Sequence, residues 1–138
     1  MVEFSPDSVA GTFIANNLNL AAATAAIGVL RDENLVERSR VLGEKYLSVM
    51  QQRLNGASHV AEVRGLGLWI AVEFAGKGDW SAAMLAGNVS RQLQECGILV
   101  GAGGYDGSVV KIAPALNIDE DDLASGVGQL IDAVTSAQ

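Results

Sequence analysis

The chain is poor in cysteine, histidine and positive charge, and each shortage excludes a class of protein. Its single cysteine, Cys96, rules out an internal disulfide framework and fits a reducing cytoplasm. Cys96 and the single histidine, His59, make two potential zinc ligands where a zinc site takes about four. Nine lysines and arginines against sixteen aspartates and glutamates give a net charge of −7, the wrong sign for a surface that binds nucleic acid.

Long apolar runs are also missing. No stretch approaches the roughly 20 apolar residues that span a bilayer. The opening residues, MVEFSPDSVA, lack the basic and apolar regions of a signal peptide. Because 49% of the residues are hydrophobic, the 138-residue chain can still bury a core as one domain. We therefore expect a cytoplasmic protein that binds neither membranes nor nucleic acid.

Hydrophobic periodicity predicts four helices, the first of them rich in alanine. Each is preceded by a polar side chain that can accept hydrogen bonds from the free backbone N–H groups of the first turn. The predicted N-caps are, in order, Asn16 or Asn17, Asn34, Asp79 or Ser81, and Asp119. The helices should end near Leu30, Leu54, Cys96 and Val134.

Alternation of apolar and polar residues predicts the strands. The expected strands are His59–Val63, Leu66–Phe74, Ile98–Val100 and Val109–Ala113, with a further extended piece to Ile118. RGLG should form a turn or bulge between the first two strands, GAGGYDGS a loop, and residues 1–15 an irregular or extended segment. The predicted fold class is therefore α+β, a small and largely antiparallel sheet with helices packed on one face.

Few residues suggest chemistry. A pair of Cys96 and His59 is formally possible, but His59 lies in a polar turn and Cys96 ends a helix, where a small residue packs well. The acidic run Asp119–Asp122 lacks the spaced ligands of a calcium loop and suits the start of a helix. GAGG follows a predicted strand but precedes no helix, so it does not match a dinucleotide-binding fingerprint.

Two positions could meet an anion. Lys111 projects from the face of its strand opposite to Val110 and Ile112, where it could bind a substrate carboxylate or simply face water. The stretch GTFIANNLNLAAATAA could present a hydroxyl and backbone N–H groups to an anion, or simply cap a helix. The pattern of residues leaves both alternatives open in each case.

Four stretches, taken in order, resemble the class III pyridoxal-phosphate aminotransferases. GTFIANNLNLAAATAAIGVLRDENLVERSRVLGE is similar to the region where the large domain of that family passes into the C-terminal small domain. VRGLGLWIAVEF resembles an Arg-Gly-x-Gly-Leu strand turn, QECGILV a later strand, and VVKIAPALNIDEDDLASGVGQLIDAV the closing strand, Pro-Leu turn and final helix. Within the family, the chain looks most like the branch that acts on diaminobutyrate and related ω-amino acids.

The resemblance implies a domain assignment. Residues 1–15 would be an extended remnant of the interdomain region and residues 16–138 the small domain, as in fold-type I pyridoxal-phosphate enzymes. The large domain with the cofactor-binding lysine would be absent. The complete parent would be a cytoplasmic homodimer that uses pyridoxal 5'-phosphate to transfer an amino group between an amino acid or ω-amine and a 2-oxo acid.

The isolated chain would then have no catalytic residue, hold no cofactor and be inactive. The alternative is a stand-alone, non-catalytic interaction or dimerisation module derived from such a small domain. The two differ in whether a large domain is encoded immediately upstream.

The resemblance also assigns site residues. Thr12 and Phe13 match the threonine and aromatic of a Thr–aromatic–x–Gly–Asn–Pro–Leu motif, whose threonine binds the cofactor phosphate held by the neighbouring subunit. Ala15 and Asn17 depart from the glycine and proline of that motif. Lys111 stands where many members carry an arginine for the substrate carboxylate; lysine keeps the charge but loses the two-pronged hydrogen bonding.

Overall fold

The computed structural model describes residues 16–137, so the predicted irregular segment 1–15 lies outside it. The chain divides into two compact units, residues 1–35 and 36–138. Within the described residues there are four helices and one four-stranded sheet, which confirms the α+β fold class. None of the helices in this part of the chain is long and apolar enough to cross a membrane.

The described part of the first unit is helix α1 (Asn17–Asp32). The predicted cap is confirmed, because Asn16 is extended and its side-chain oxygen accepts a hydrogen bond from the Asn19 N–H at 2.9 Å. Asn34 was predicted to cap the next helix. Instead it has a left-handed φ of 50°, which asparagine tolerates, and its N–H donates to the Arg31 carbonyl.

The remaining elements follow in chain order. They are α2 (Leu35–Arg53), β1 (Val60–Leu66), β2 (Trp69–Phe74), α3 (Ala82–Glu95), β3 (Gly101–Gly103), β4 (Val109–Ile112) and α4 (Glu120–Ser136). Two further predicted caps are confirmed. The Ser81 hydroxyl accepts from the Met84 N–H at 3.2 Å, and a carboxylate oxygen of Asp119 accepts from the Asp121 N–H at 2.8 Å.

The four strands pair antiparallel in the order β1-β2-β4-β3. One face of the sheet is buried in the core, where strand residues pack with the apolar side chains of α2, α3 and α4. The core residues of the two central strands are Ile70, Val72, Phe74 and Val110. Because successive side chains of a strand alternate between faces, the residues between them point to the opposite side, called here the outer face.

Helix α2 contacts both the β1–β2 turn and the segment that follows β4. Its backbone approaches the β1–β2 turn so closely that a Cβ on Gly43 would lie 2.2 Å from the backbone of Gly67. Beside this contact, the Ser39 hydroxyl accepts from the Leu68 N–H at 3.1 Å. The Arg38 guanidinium donates to the carbonyls of Leu116 and Ile118, at 2.6 and 2.5 Å. The segment after β4, for which the sequence predicted a further extended piece, is therefore hydrogen-bonded to α2.

The third strand departs from its predicted position. A strand was expected at residues 98–100 and a loop from residue 101, but the structure has β3 at Gly101–Gly103. Backbone groups of β4 find their partners in this glycine run, and ladder hydrogen bonding needs no side chain. Glycine carries little strand signal of its own, so only the pairing reveals the strand.

Candidate functional site

Lys111 lies on the outer face of the sheet, as its alternation with Val110 predicts. Its Cα partners are Ala71 on β2 and Gly101 on β3. Both neighbours are small, and small side chains directly opposite leave space beside the stem of the lysine. The lysine therefore lies in a shallow depression of the outer face.

A cleft of about 490 Å³ opens on this face. It is lined by Lys111 and Arg64, by the apolar side chains of Leu66 and Trp69, and by small residues between them. The Trp69 side chain is 66% exposed although it belongs to a central strand. This cleft is shallow and open to solvent, and a cation in it can attract an anionic group.

The charge of Arg64 is already engaged. The guanidinium donates to carboxylate oxygens of Glu62, at 2.8 Å, and of Glu73. The hydrogen bond to Glu73 is the main cause that raises the pKa of Arg64 above its ordinary value. Arg64 thus bridges two acidic residues of neighbouring strands and has little charge left for a ligand.

Lys111 has no such partner among the described residues. Its nearest acidic neighbour by register is Glu73, which pairs with Val109 two residues away and is bound to Arg64. Lys45 and Lys77, the other lysines of the chain, are also exposed, but neither lines this cleft. Lys111 is therefore an exposed cation in this cleft, without an ion-pair partner among the described residues.

A second cavity, of about 290 Å³, lies between α4 and residues 97–100. Its lining is apolar apart from one charged residue, Asp122. Because the lining holds no cation, this cavity has no group that would pair with a carboxylate.

The two members of the formal Cys96–His59 pair have different surroundings in the structure. His59 is 5% exposed, its ring stacks on Phe74, and its Nε2 lies 2.7 Å from the Val134 carbonyl oxygen. A carbonyl only accepts hydrogen bonds, so Nε2 carries the hydrogen and donates it. His59 lies in a turn, as the sequence predicted, but its side chain is buried in the interior. Cys96 is exposed instead of packed, and the described residues hold no cluster suited to a metal.

The other predicted site residues, Thr12 and Phe13, lie outside the described residues, so their roles remain predictions. The sequence did not reveal the neighbours that shape the cleft. The alternation in Leu66–Phe74 places Trp69, Ala71 and Glu73 on one face, but the register that brings Ala71 and Gly101 beside Lys111 is visible only in the fold.

The described residues do not form a site for pyridoxal phosphate. A lysine that forms a Schiff base is typically desolvated or placed beside another cation. Here all three lysines are exposed and lie on separate elements.

Comparison with known proteins identifies the family. Residues 1–134 match the family model "Aminotransferase class-III". The acetylornithine aminotransferase of Methanothermobacter thermautotrophicus is 33% identical over 92% of the chain, and the diaminobutyrate–2-oxoglutarate aminotransferase of Rhizobium meliloti is 28% identical over 92%. A solved structure of Toxoplasma gondii ornithine aminotransferase, with partial occupancy of pyridoxal phosphate at its active site, is 30% identical over 96% of the chain with a TM-score of 0.79.

These likenesses cover only part of the related proteins. The chain spans 30% of the acetylornithine enzyme, 29% of the diaminobutyrate enzyme and 30% of the ornithine aminotransferase structure. Nearly the whole chain takes part in each match, in agreement with the four resembling stretches. The chain therefore belongs to the class III aminotransferases.

Proposed function

We propose that the chain is the C-terminal small domain of a class III aminotransferase and that it supplies Lys111 to bind a substrate carboxylate. The complete protein transfers an amino group between an amino acid or ω-amine and a 2-oxo acid. The diaminobutyrate relative acts with 2-oxoglutarate, a 2-oxo acid with two carboxylates, and this is the acceptor class that we assign.

The observation that carries the proposal is the available ammonium of Lys111 in the outer-face cleft. Amino acids and 2-oxo acids share a carboxylate, and a fixed cation beside an apolar wall orients such a ligand. Arg64 is occupied by Glu62 and Glu73, so it supports the face without competing for the ligand.

The cofactor and its lysine belong, in this proposal, to the part of the protein beyond this chain. Pyridoxal phosphate supplies the electron sink of amino-group transfer. The isolated chain should consequently show neither transaminase activity nor an aldimine absorbance band. Such a band, removed by borohydride with labelling of Lys45, Lys77 or Lys111, would contradict this expectation.

The proposal is tested first in solution with the chain itself. Glutarate, the dicarboxylate without the reactive oxo group, is titrated to millimolar concentration while NMR follows the side-chain signals of the three lysines. We expect saturable shifts at Lys111 and at the backbone signals of its cleft neighbours. The neighbours' shifts should be lost in Lys111→Met and unchanged in the matched variant Lys45→Met. Equal and linear shifts at all three lysines would show only general ionic effects and would contradict the assignment.

The second test concerns the enzyme. The reading frame upstream of Met1 should encode a large domain with the cofactor-binding lysine, and the protein expressed from that frame should form glutamate from 2-oxoglutarate and an amino donor. A gene that starts at Met1 and yields a chain without such a domain would favour the stand-alone interaction module.

A further inference from the structure

The ammonium of Lys111 lies across the neighbouring strand β3, directly over Gly103. A Cβ built on Gly103 would stand 2.7 Å from Cε and 2.8 Å from Nζ of Lys111. Non-bonded carbon atoms are optimally separated by about 3.5–4.0 Å. The end of the lysine therefore occupies the space that any side chain at position 103 would need.

Gly101 provides an internal comparison. It is the direct Cα partner of Lys111, yet a Cβ built there meets nothing within 4 Å. The lysine thus leans away from its direct partner and towards the diagonal position 103. Gly103 does not have a positive φ, so its backbone does not require glycine. The absence of a side chain at Gly103 instead makes room for the end of Lys111.

We propose that Gly103 is a positioning residue, because its lack of a side chain leaves open the space over β3 that the Lys111 ammonium occupies. The consequence for catalysis rests on the proposed function. If Lys111 binds the substrate carboxylate, the position of its ammonium fixes where that carboxylate is bound. Gly103 itself needs no contact with the substrate.

The register indicates where the ammonium goes when position 103 is filled. Val109 has Gly103 as its partner on one side and Glu73 on the other. On the β2 side, a displaced lysine meets Glu73, whose carboxylate it would have to share with Arg64. A side chain at position 103 therefore moves the ammonium from its place over β3 towards a carboxylate that Arg64 already binds. Since the clashing atoms are the flexible end of a side chain, the fold itself is retained.

The first experiment uses the unmodified chain. We expect an NMR cross-relaxation signal between the Hα protons of Gly103 and the Hε protons of Lys111, because the two groups are in contact. Absence of this signal, with the β3–β4 backbone signals present, would overturn the positioning role whatever the behaviour of any variant.

The second experiment compares Gly103→Ala with the matched control Gly101→Ala. Acetylation of Lys111 is quantified by mass spectrometry relative to Lys45 and Lys77 of the same molecule. In G103A we expect its relative rate to fall about twofold to fivefold, the range of one exposed ion pair, while G101A stays at the unmodified value. Equal rates in the two variants would overturn the proposal.

The glutarate titration separates the carboxylate-binding role of Lys111 from the positioning role of Gly103. G103A should weaken the saturable shift at Lys111 more than G101A does. If glutarate shifts no Lys111 signal even in the unmodified chain, the carboxylate role fails and the substrate consequence fails with it. The cross-relaxation signal and the acetylation rates decide the position of the ammonium independently of that result.

Discussion

Arg64 keeps two carboxylates of the outer face occupied. It binds Glu62 and Glu73 across neighbouring strands, and Glu73 is the acidic group nearest to Lys111 in register. Lys111 thus lacks an ion-pair partner because Arg64 binds Glu73. An ion pair between exposed side chains adds little stability, so the value of this bridge lies in the charge that it withholds from Lys111.

Removal of Arg64 should therefore impair ligand binding more than folding. In Arg64→Met we expect glutarate to bind about twofold to fivefold more weakly, because Glu73 becomes free to pair with Lys111. The double variant with Glu73→Gln should recover the original affinity in the NMR titration. Arg91→Met, which breaks the exposed pair with Glu95 on α3, is the control and should leave binding unchanged.

Thr12 carries the second prediction at this scale, through the resemblance to the family motif. In the complete protein, Thr12→Ala should weaken cofactor retention about tenfold to a hundredfold, since a hydrogen bond to a charged group contributes about 1.5–3 kcal/mol. Equilibrium dialysis of the cofactor measures the effect. Unchanged retention in a folded variant would contradict a role for Thr12 in binding the cofactor phosphate.

At the scale of elements, α2 is the support of the site-bearing hairpin. Its backbone contacts the turn between β1 and β2, and both strands contribute to the outer-face cleft. Gly43→Ala should lower the free energy of unfolding by about 1–3 kcal/mol, because backbone on both sides of the contact must move. Urea unfolding followed by circular dichroism measures the change.

The control for this prediction is Gly87→Ala, in the middle of α3. A Cβ there meets nothing within 4 Å. It should stabilise the protein by about 0.5–1 kcal/mol, since alanine favours helix over glycine. Equal effects of the two substitutions would show that the contact between α2 and the turn is not tight in solution.

Elements with local signals could be predicted from the sequence. Ser81 and Asp119 cap α3 and α4 because side-chain oxygens a few residues away satisfy free N–H groups. Signals that depend on distant residues were missed. The strand character of Gly101–Gly103 comes from β4, and the burial of His59 comes from the Val134 carbonyl on α4. The cleft around Lys111 belongs to the second kind, since it depends on strand register.

At the scale of the whole molecule, the described residues include apolar side chains that are exposed to solvent. Leu20 and Ile27 of α1 are 52% and 49% exposed. We expect the isolated chain to form a homodimer, because apolar patches favour association while the net charge of −7 opposes larger aggregates. Light scattering at low micromolar concentration tests this. A monomeric mass without binding of a hydrophobic dye would contradict it.

The proposed role of Lys111 in binding the substrate carboxylate is tested most directly by the Michaelis constant for the 2-oxo acid. It is measured in the complete protein encoded by the frame that contains this chain. Lys111→Met should raise the KM for 2-oxoglutarate about tenfold to a hundredfold, the range for loss of one hydrogen bond between charged groups, with a smaller change in kcat. Lys111→Arg should retain a low KM, since arginine binds carboxylates with two parallel hydrogen bonds. Lys45→Met should leave the KM at its original value. An unchanged KM in Lys111→Met would contradict the role assigned to this lysine.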